Sequence, residues 1–288
     1  MGVPRCWTCS SAQCAAAINK LVFLFPLPLL LFGLIAQAPA GSFAWPPLLA
    51  YIAIEIVMYA AGYGMARHVF GLPRPESLLL GMVGVFCNHV YYVLPIARYL
   101  FGDAAALPIV AIICLDAVVI FGGTLLIMDT IAAGGASLTK LGHQLAGNPI
   151  ILSLIAGVLA NTFGVPITGG LAVFVDFAGS AAAPASLFAL GVIMALQRAD
   201  ADPVLPWLLT LVALVAMPAL ATLILGPTLN APAAWASPLI LVAAGPAGMM
   251  PFVIALRYGV PTANIVRTIF ISTVLSLGTV TAAIEWGW

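Results

Sequence analysis

About nine apolar stretches, each near the length a helix needs to cross a bilayer, run through this chain with short loops between them. They fall near residues 17–37, 47–67, 77–101, 105–128, 148–163, 177–196, 205–225, 238–258 and 265–286. In hydrocarbon the backbone must satisfy its own N–H and C=O groups, so such stretches are expected as helices. The loops carry proline, glycine and acidic punctuation, as at Gly71, Pro73 and Pro75 or at Asp202 and Pro203. None is long enough for a soluble domain. Composition excludes the alternative: 64% of the 288 residues are hydrophobic and 6% charged, against roughly a quarter charged in soluble domains. Such a chain cannot cover a water-facing surface. Its formal net charge is zero, and no basic tract offers itself to nucleic acid.

The few charges suggest an orientation. With the N-terminus in the cytoplasm, Arg5, Lys20, Arg67, Arg74, Lys140, Arg198 and Arg257 all fall inside. Arg98 falls near the outer face, where it can snorkel or attract anions, and Arg267 lies just within the last span. Trp45, Trp235, Trp286 and Trp288 are expected in the outer interfacial belt. Cys6 and Cys9 form a C-x-x-C, but no second pair or histidine cluster completes a zinc site. Cys87 and Cys114 lie in apolar segments, where cysteine behaves as a small hydrophobe. No metal and no cofactor are expected.

A repeat runs through the stretches. Pro28 and Pro184 stand 156 residues apart, as do Pro95 and Pro251, and Leu31/Leu187 and Phe32/Phe188 are identical at the same offset. Residues 18–130 form a first half of four spans and residues 147–288 a second half of five, with residues 1–17 outside the pattern. Five spans per half, an odd number, would invert the second half relative to the first. The expected fold is an all-α polytopic membrane protein of two inverted-topology five-helix repeats, each with a broken crossover helix, the first helix of the first repeat being absent. The two halves together form one membrane domain.

Proline inside a helix removes a donor and displaces a carbonyl, and lipid tolerates the freed groups only where protein or water reaches them. Paired interruptions in corresponding segments are the best sequence pointer to a carrier's substrate site. Pro95, Gly245, Pro246 and Pro251 mark that site here, and half-helix N-termini attract a carboxylate there without a buried arginine. The Asn88 amide can bind a substrate carboxylate or satisfy a freed carbonyl. Tyr91 and Tyr92 can line the pocket or pack at an interface. Glu55 and Asp116 are acids within spans, where an ionised side chain costs about 2.5–3.5 kcal/mol. Each is a candidate proton carrier or a neutral acid bonded across helices, and His89 is a third proton-coupling candidate. Gly33 and Gly62 read as packing residues. No H-E-x-x-H, G-x-S-x-G or P-loop pattern is present, so neither an enzyme nor an ATP-driven pump is expected.

Several segments carry a family resemblance. Ile18-Asn19-Lys20-Leu21-Val22-Phe23, leading to Pro28 and Phe32, resembles the second helix of the auxin efflux carrier family. Plant PIN carriers and bacterial malonate-transporter-like proteins belong to that family. Asn88 and Pro95 followed by Phe101-Gly102 resemble its first crossover helix. Gly147-Asn148-Pro149-Ile150 resembles the start of its second half, and Ser272-Thr273 with Ser276 and Thr279 its last helix. The chain departs from the pattern in lacking the first helix and in having no asparagine between Gly245 and Pro251. The resemblance implies a secondary carrier for small organic anions, with a scaffold part and a moving part, in the bacterial inner membrane. Its partners would be the anion, the lipid bilayer and a second copy as a homodimer, without nucleic acid. The alternative is a non-transporting sensor or remnant that lacks the first helix.

Overall fold

In a computed structural model of the chain, the described residues are 11–37, 44–102, 105–133, 147, 149–182, 184–185, 188–189, 191–192 and 201–285. Cys6, Cys9, Lys140, Asn148, Leu187, Arg198, Trp286 and Trp288 lie outside them. The helices, in chain order, are α1 (Ser11–Leu24), α2 (Pro26–Ala36), α3 (Trp45–Val69), α4 (Arg74–Val83) and α5 (Leu94–Phe101). They continue with α6 (Ala106–Ala132), α7 (Pro149–Thr162), α8 (Gly169–Ser180), α9 (Leu205–Thr228), α10 (Ala233–Ala243), α11 (Met250–Tyr258) and α12 (Ala263–Glu285). Among the described residues, four of these (α3, α6, α9 and α12) are long and apolar enough to cross a membrane, and α7, α8 and α10 are shorter apolar helices.

Proline sets many of the starts. It occupies the first turn of α2, α3, α4, α5, α9 and α11, where its missing N–H is no loss. Two departures from the expected spans also have local causes. The stretch 17–37 divides at Phe25, because Pro26 disfavours a helical residue before it. The span expected at 177–196 begins earlier: Thr168 is extended, Gly169 has φ +59°, and α8 starts there.

The contacts divide the chain into two compact units, Met1–Gln37 with Asn148–Arg198 and Ala38–Gly147 with Ala199–Trp288. Each unit therefore draws on both halves of the sequence. In the first unit α2 packs against α7 and α8. The Phe25 and Phe174 rings meet edge to face at 6.1 Å. Asn161 Nδ2 donates to the carbonyls of Ile35 and Ala36 at 3.1 and 3.2 Å, capping the last turn of α2.

The second unit contains one order of elements twice. A long helix, a short helix, a break, a short helix and a long helix appear as α3, α4, α5, α6 and again as α9, α10, α11, α12. Its core is formed by Leu79, Leu80, Ile109, Ile112, Leu205, Leu209 and Met217. Gly62 and Gly81 let α3 and α4 approach backbone to backbone; a Cβ on Gly62 would lie 3.1 Å from Gly81 Cα. Trp235 is buried in this unit, whereas Trp45 is exposed. Each long helix except α12 contains a π-helical turn, at Met65–Val69, Ala117–Gly122, and Val212–Ala216 with Ile224–Thr228. Such turns often mark functional sites.

Candidate transport site

The two breaks in the second unit meet. The chain leaves α4 at Val83 and re-enters helix as a π turn at His89–Val93 that runs into α5. It leaves α10 at Ala243 and re-enters at Met250. The extended residues between them pair as a single antiparallel bridge, Cys87 with Ala247. Asn88 N–H donates to Pro246 C=O at 2.8 Å, and Gly248 N–H to Phe86 C=O at 2.6 Å. Ala247 N–H donates to Ser272 Oγ of α12 at 3.2 Å. Groups released by the two breaks thus satisfy each other, as a low-dielectric setting demands.

The breaks do not lie at Pro95 and Pro251. Both prolines occupy the first turn of the helix that follows. The chain opens instead at Gly84–Asn88 and Ala244–Met249, where glycine permits the approach. A Cβ on Gly245 would lie 2.4 Å from Cys87 Sγ and 2.6 Å from Val93 Cγ2; one on Gly248 would lie 2.8 Å from Cys87 O. Only glycine fits at either position. Gly245, Pro246 and Pro251 are buried, Asn88 and Tyr91 are half-buried, and Pro95 is exposed. The void beside the crossing, lined by Val83–Cys87 and Gly245 among others, is only about 10 Å³. It has no room for an organic anion. The Asn88 side chain makes no capping bond to the turn it precedes.

Behind the first break lies a polar cluster. Glu55 of α3, His89 of the π turn and Asp116 of α6 are 0%, 4% and 1% exposed, and each offers an atom within 4.8 Å of the others. His89 Nε2 is 3.0 Å from Asp116 Oδ2. The Glu55 and Asp116 carboxyls face each other, with an oxygen of one within 4.8 Å of an oxygen of the other. As bare carboxylates their four oxygens have no donor at hydrogen-bond geometry. Tyr51 lies one turn before Glu55, fully buried, with no partner for its hydroxyl. The edge of the Phe86–His89 ring pair closes the imidazole off at 5.8 Å.

The spacing of these three groups would admit a metal ion. Sodium, magnesium and calcium take oxygen ligands, and an imidazole is not one.

Three sequence-stated candidates therefore converge in one cluster, and Asn88 and Pro246 converge at the crossing. Pro95 stands apart from both. Sequence reasoning missed Tyr51 and Cys87 as neighbours of the cluster, and Ser272 as the acceptor for the second break. Tyr51 had a signal, its i, i+4 spacing from Glu55 on one helix face. Ser272 had none, since its role depends on where a distant break falls.

Known proteins can be set beside this geometry. Residues 135–284, just over half of the chain, match the family described as membrane transport protein. Over 271 residues the chain is 29% identical to a protein of Rhizobium meliloti (strain 1021) named "Putative malonate transporter", covering 92% of this chain and 84% of that one. With its apolar spans and paired broken helices, the chain belongs to the membrane transport protein family and is an auxin efflux carrier family transporter.

Proposed function

We propose that this chain is a secondary transporter that carries small organic anions, carboxylates of the malonate class, by alternating access. The substrate is held beside Asn88 where the two broken helices cross, in a state of the cycle in which the crossing has opened beyond the void of about 10 Å³ seen here. The observation that carries the reading is the antiparallel crossing itself, with Asn88 beside it. Two half-helices begin there, and their N-terminal ends carry partial positive charge that favours a carboxylate. The half-buried Asn88 amide, not engaged as a cap, supplies donors. Substrate class is supported by the name of the Rhizobium relative.

The doubled element order of the second unit supports two repeats, which an odd number of spans would place in opposite orientation. The division into two units, each built from both halves, supports a fixed part and a moving part. The expected setting is the bacterial inner membrane.

Uptake of labelled malonate into proteoliposomes tests the reading. Wild type should take up malonate above protein-free vesicles. Asn88→Ala should raise KM by about tenfold or more, the loss of one charge-assisted hydrogen bond of about 1.5–3 kcal/mol. Absence of uptake, or an unchanged Asn88→Ala variant, would overturn it.

A further inference from the structure

Glu55, His89 and Asp116 have no role in holding the crossing together, yet they occupy the most costly place in the second unit for polar groups. We infer that they form one proton-binding site through which anion movement is coupled to protons, so that carboxylate and proton travel in the same direction. This rests on the crossover being the substrate site.

The first argument is charge balance. Two ionised carboxylates beside a neutral imidazole leave two negative charges out of water. Neither Lys nor Arg is buried among the described residues, so no fixed cation offsets them. Burying an unpaired ion is strongly unfavourable. Protons can offset this cost, and the geometry has places for them, between His89 and Asp116 and between Asp116 and Glu55. Chains of Asp, Glu and His inside membranes commonly serve as proton relays.

The second argument is position. His89 follows Asn88 directly and begins the π turn that leads into α5. An anion bound at Asn88 therefore sets its negative charge one residue from the cluster. It is repelled by an unprotonated cluster and accepted by a protonated one. Binding of anion and proton thus favour each other, and the coupling is reciprocal. The same element carries both, so a movement that re-exposes one re-exposes the other.

The remaining titratable neighbours do not supply the missing charge. Tyr51 of α3 and Cys87 of the first break are near the cluster, and Cys114 stands two residues before Asp116 on α6. The helices α9 and α10 carry no titratable residue. Tyr92 is bonded to Ser276, and Arg98 of α5 and Arg267 of α12 are exposed.

The experiment uses purified full-length protein in proteoliposomes with labelled malonate and an internal pH dye, against protein-free vesicles. Exchange of labelled for unlabelled malonate at equal pH on both sides reads the carrier alone. An inward proton gradient reads the coupling. The expected result is exchange at equal pH, accumulation driven by the gradient, and internal acidification with each malonate pulse. Apparent affinity should rise up to about tenfold per pH unit of acidification for one linked proton. Asp116→Asn and His89→Gln should each lose gradient-driven accumulation and acidification. Should one of them fail to fold, the other and the wild-type acidification still decide. Exchange without acidification in wild type would overturn the coupling and leave the carrier standing. Gradient drive retained in both variants would overturn the assignment to these residues. No exchange in wild type would overturn the carrier, and the coupling with it.

Discussion

Glu76 shows how one side chain records its place in the fold. It lies in the first turn of α4, outside the long spans, and receives a bond of 3.5 Å from Asn264 Nδ2. Removal from water raises its pKa above the ordinary 4.5, against the lowering effect of the Asn264 bond. A carboxyl with a raised folded-state pKa binds its proton more tightly in the native state than in the unfolded one. Its ionisation therefore costs stability at neutral pH. That cost fades as pH falls through the folded pKa and is gone below 4.5. Glu76→Gln, which keeps an acceptor for Asn264, should melt higher than wild type at pH 7, with the gap closing as pH falls towards 4.5. Melting curves in detergent across that range check it; a gap independent of pH would remove the assignment. Asp202 behaves oppositely. Its carboxylate accepts from the Val204 and Leu205 N–H groups at 2.8 Å, which lowers its pKa. At this scale the sequence marked Asn88, His89, Glu55 and Asp116 one by one, because polar groups in apolar runs are conspicuous. It did not mark Glu76, whose surroundings come from α12.

The crossing is the element that most depends on a particular residue type. Gly245→Ala should destabilise by about 1–3 kcal/mol, the range for forcing an extra methyl into a filled site. The clash involves both Cys87 Sγ and Val93 Cγ2, so neither can retreat alone. Gly123→Ala, in α6 with nothing within 4 Å of the added carbon, should be neutral or stabilising by about 0.5–1 kcal/mol. The two melting temperatures in detergent compare them; equal values would show that the crossing is not tightly closed. The breaks were legible as events within segments 77–101 and 238–258. Their positions were not. Proline announces a helix start as readily as a kink, and here Pro95 and Pro251 begin helices. The opening falls where glycine lets two backbones pair, a matter of distant partners and not of local sequence.

Over the whole molecule, the second unit has two distinct ends. One gathers the C-terminal ends of α3, α6 and α11 and the N-terminal ends of α4, α9 and α12. Tyr258 donates to Asp129, Asp202 N–H donates to Asn264 Oδ1 at 2.8 Å, and Pro73, Glu76 and Pro261 line one cavity of about 340 Å³. The helices α3 and α9, of 25 and 24 residues, run about 36 Å to the other end at 1.5 Å per residue. In a variant stripped of its own cysteines, Leu72→Cys, Val204→Cys and Pro261→Cys should all react with an impermeant maleimide from one side of the membrane. Leu229→Cys should react from the other. Any mixture within the first three would contradict the arrangement.

The amino-acid sequence by itself determined the membrane setting, the helical class and the presence of an interruption within the segments 77–101 and 238–258. These follow from apolar run length and from proline and glycine, which act on the few residues around them. Only the tertiary structure decided where the breaks open, that Glu55, His89 and Asp116 share one buried cluster, and that the chain divides into units which cut across its two halves. Those features are set by contacts between residues far apart in the chain, where burial and hydrogen-bond satisfaction outweigh local preference.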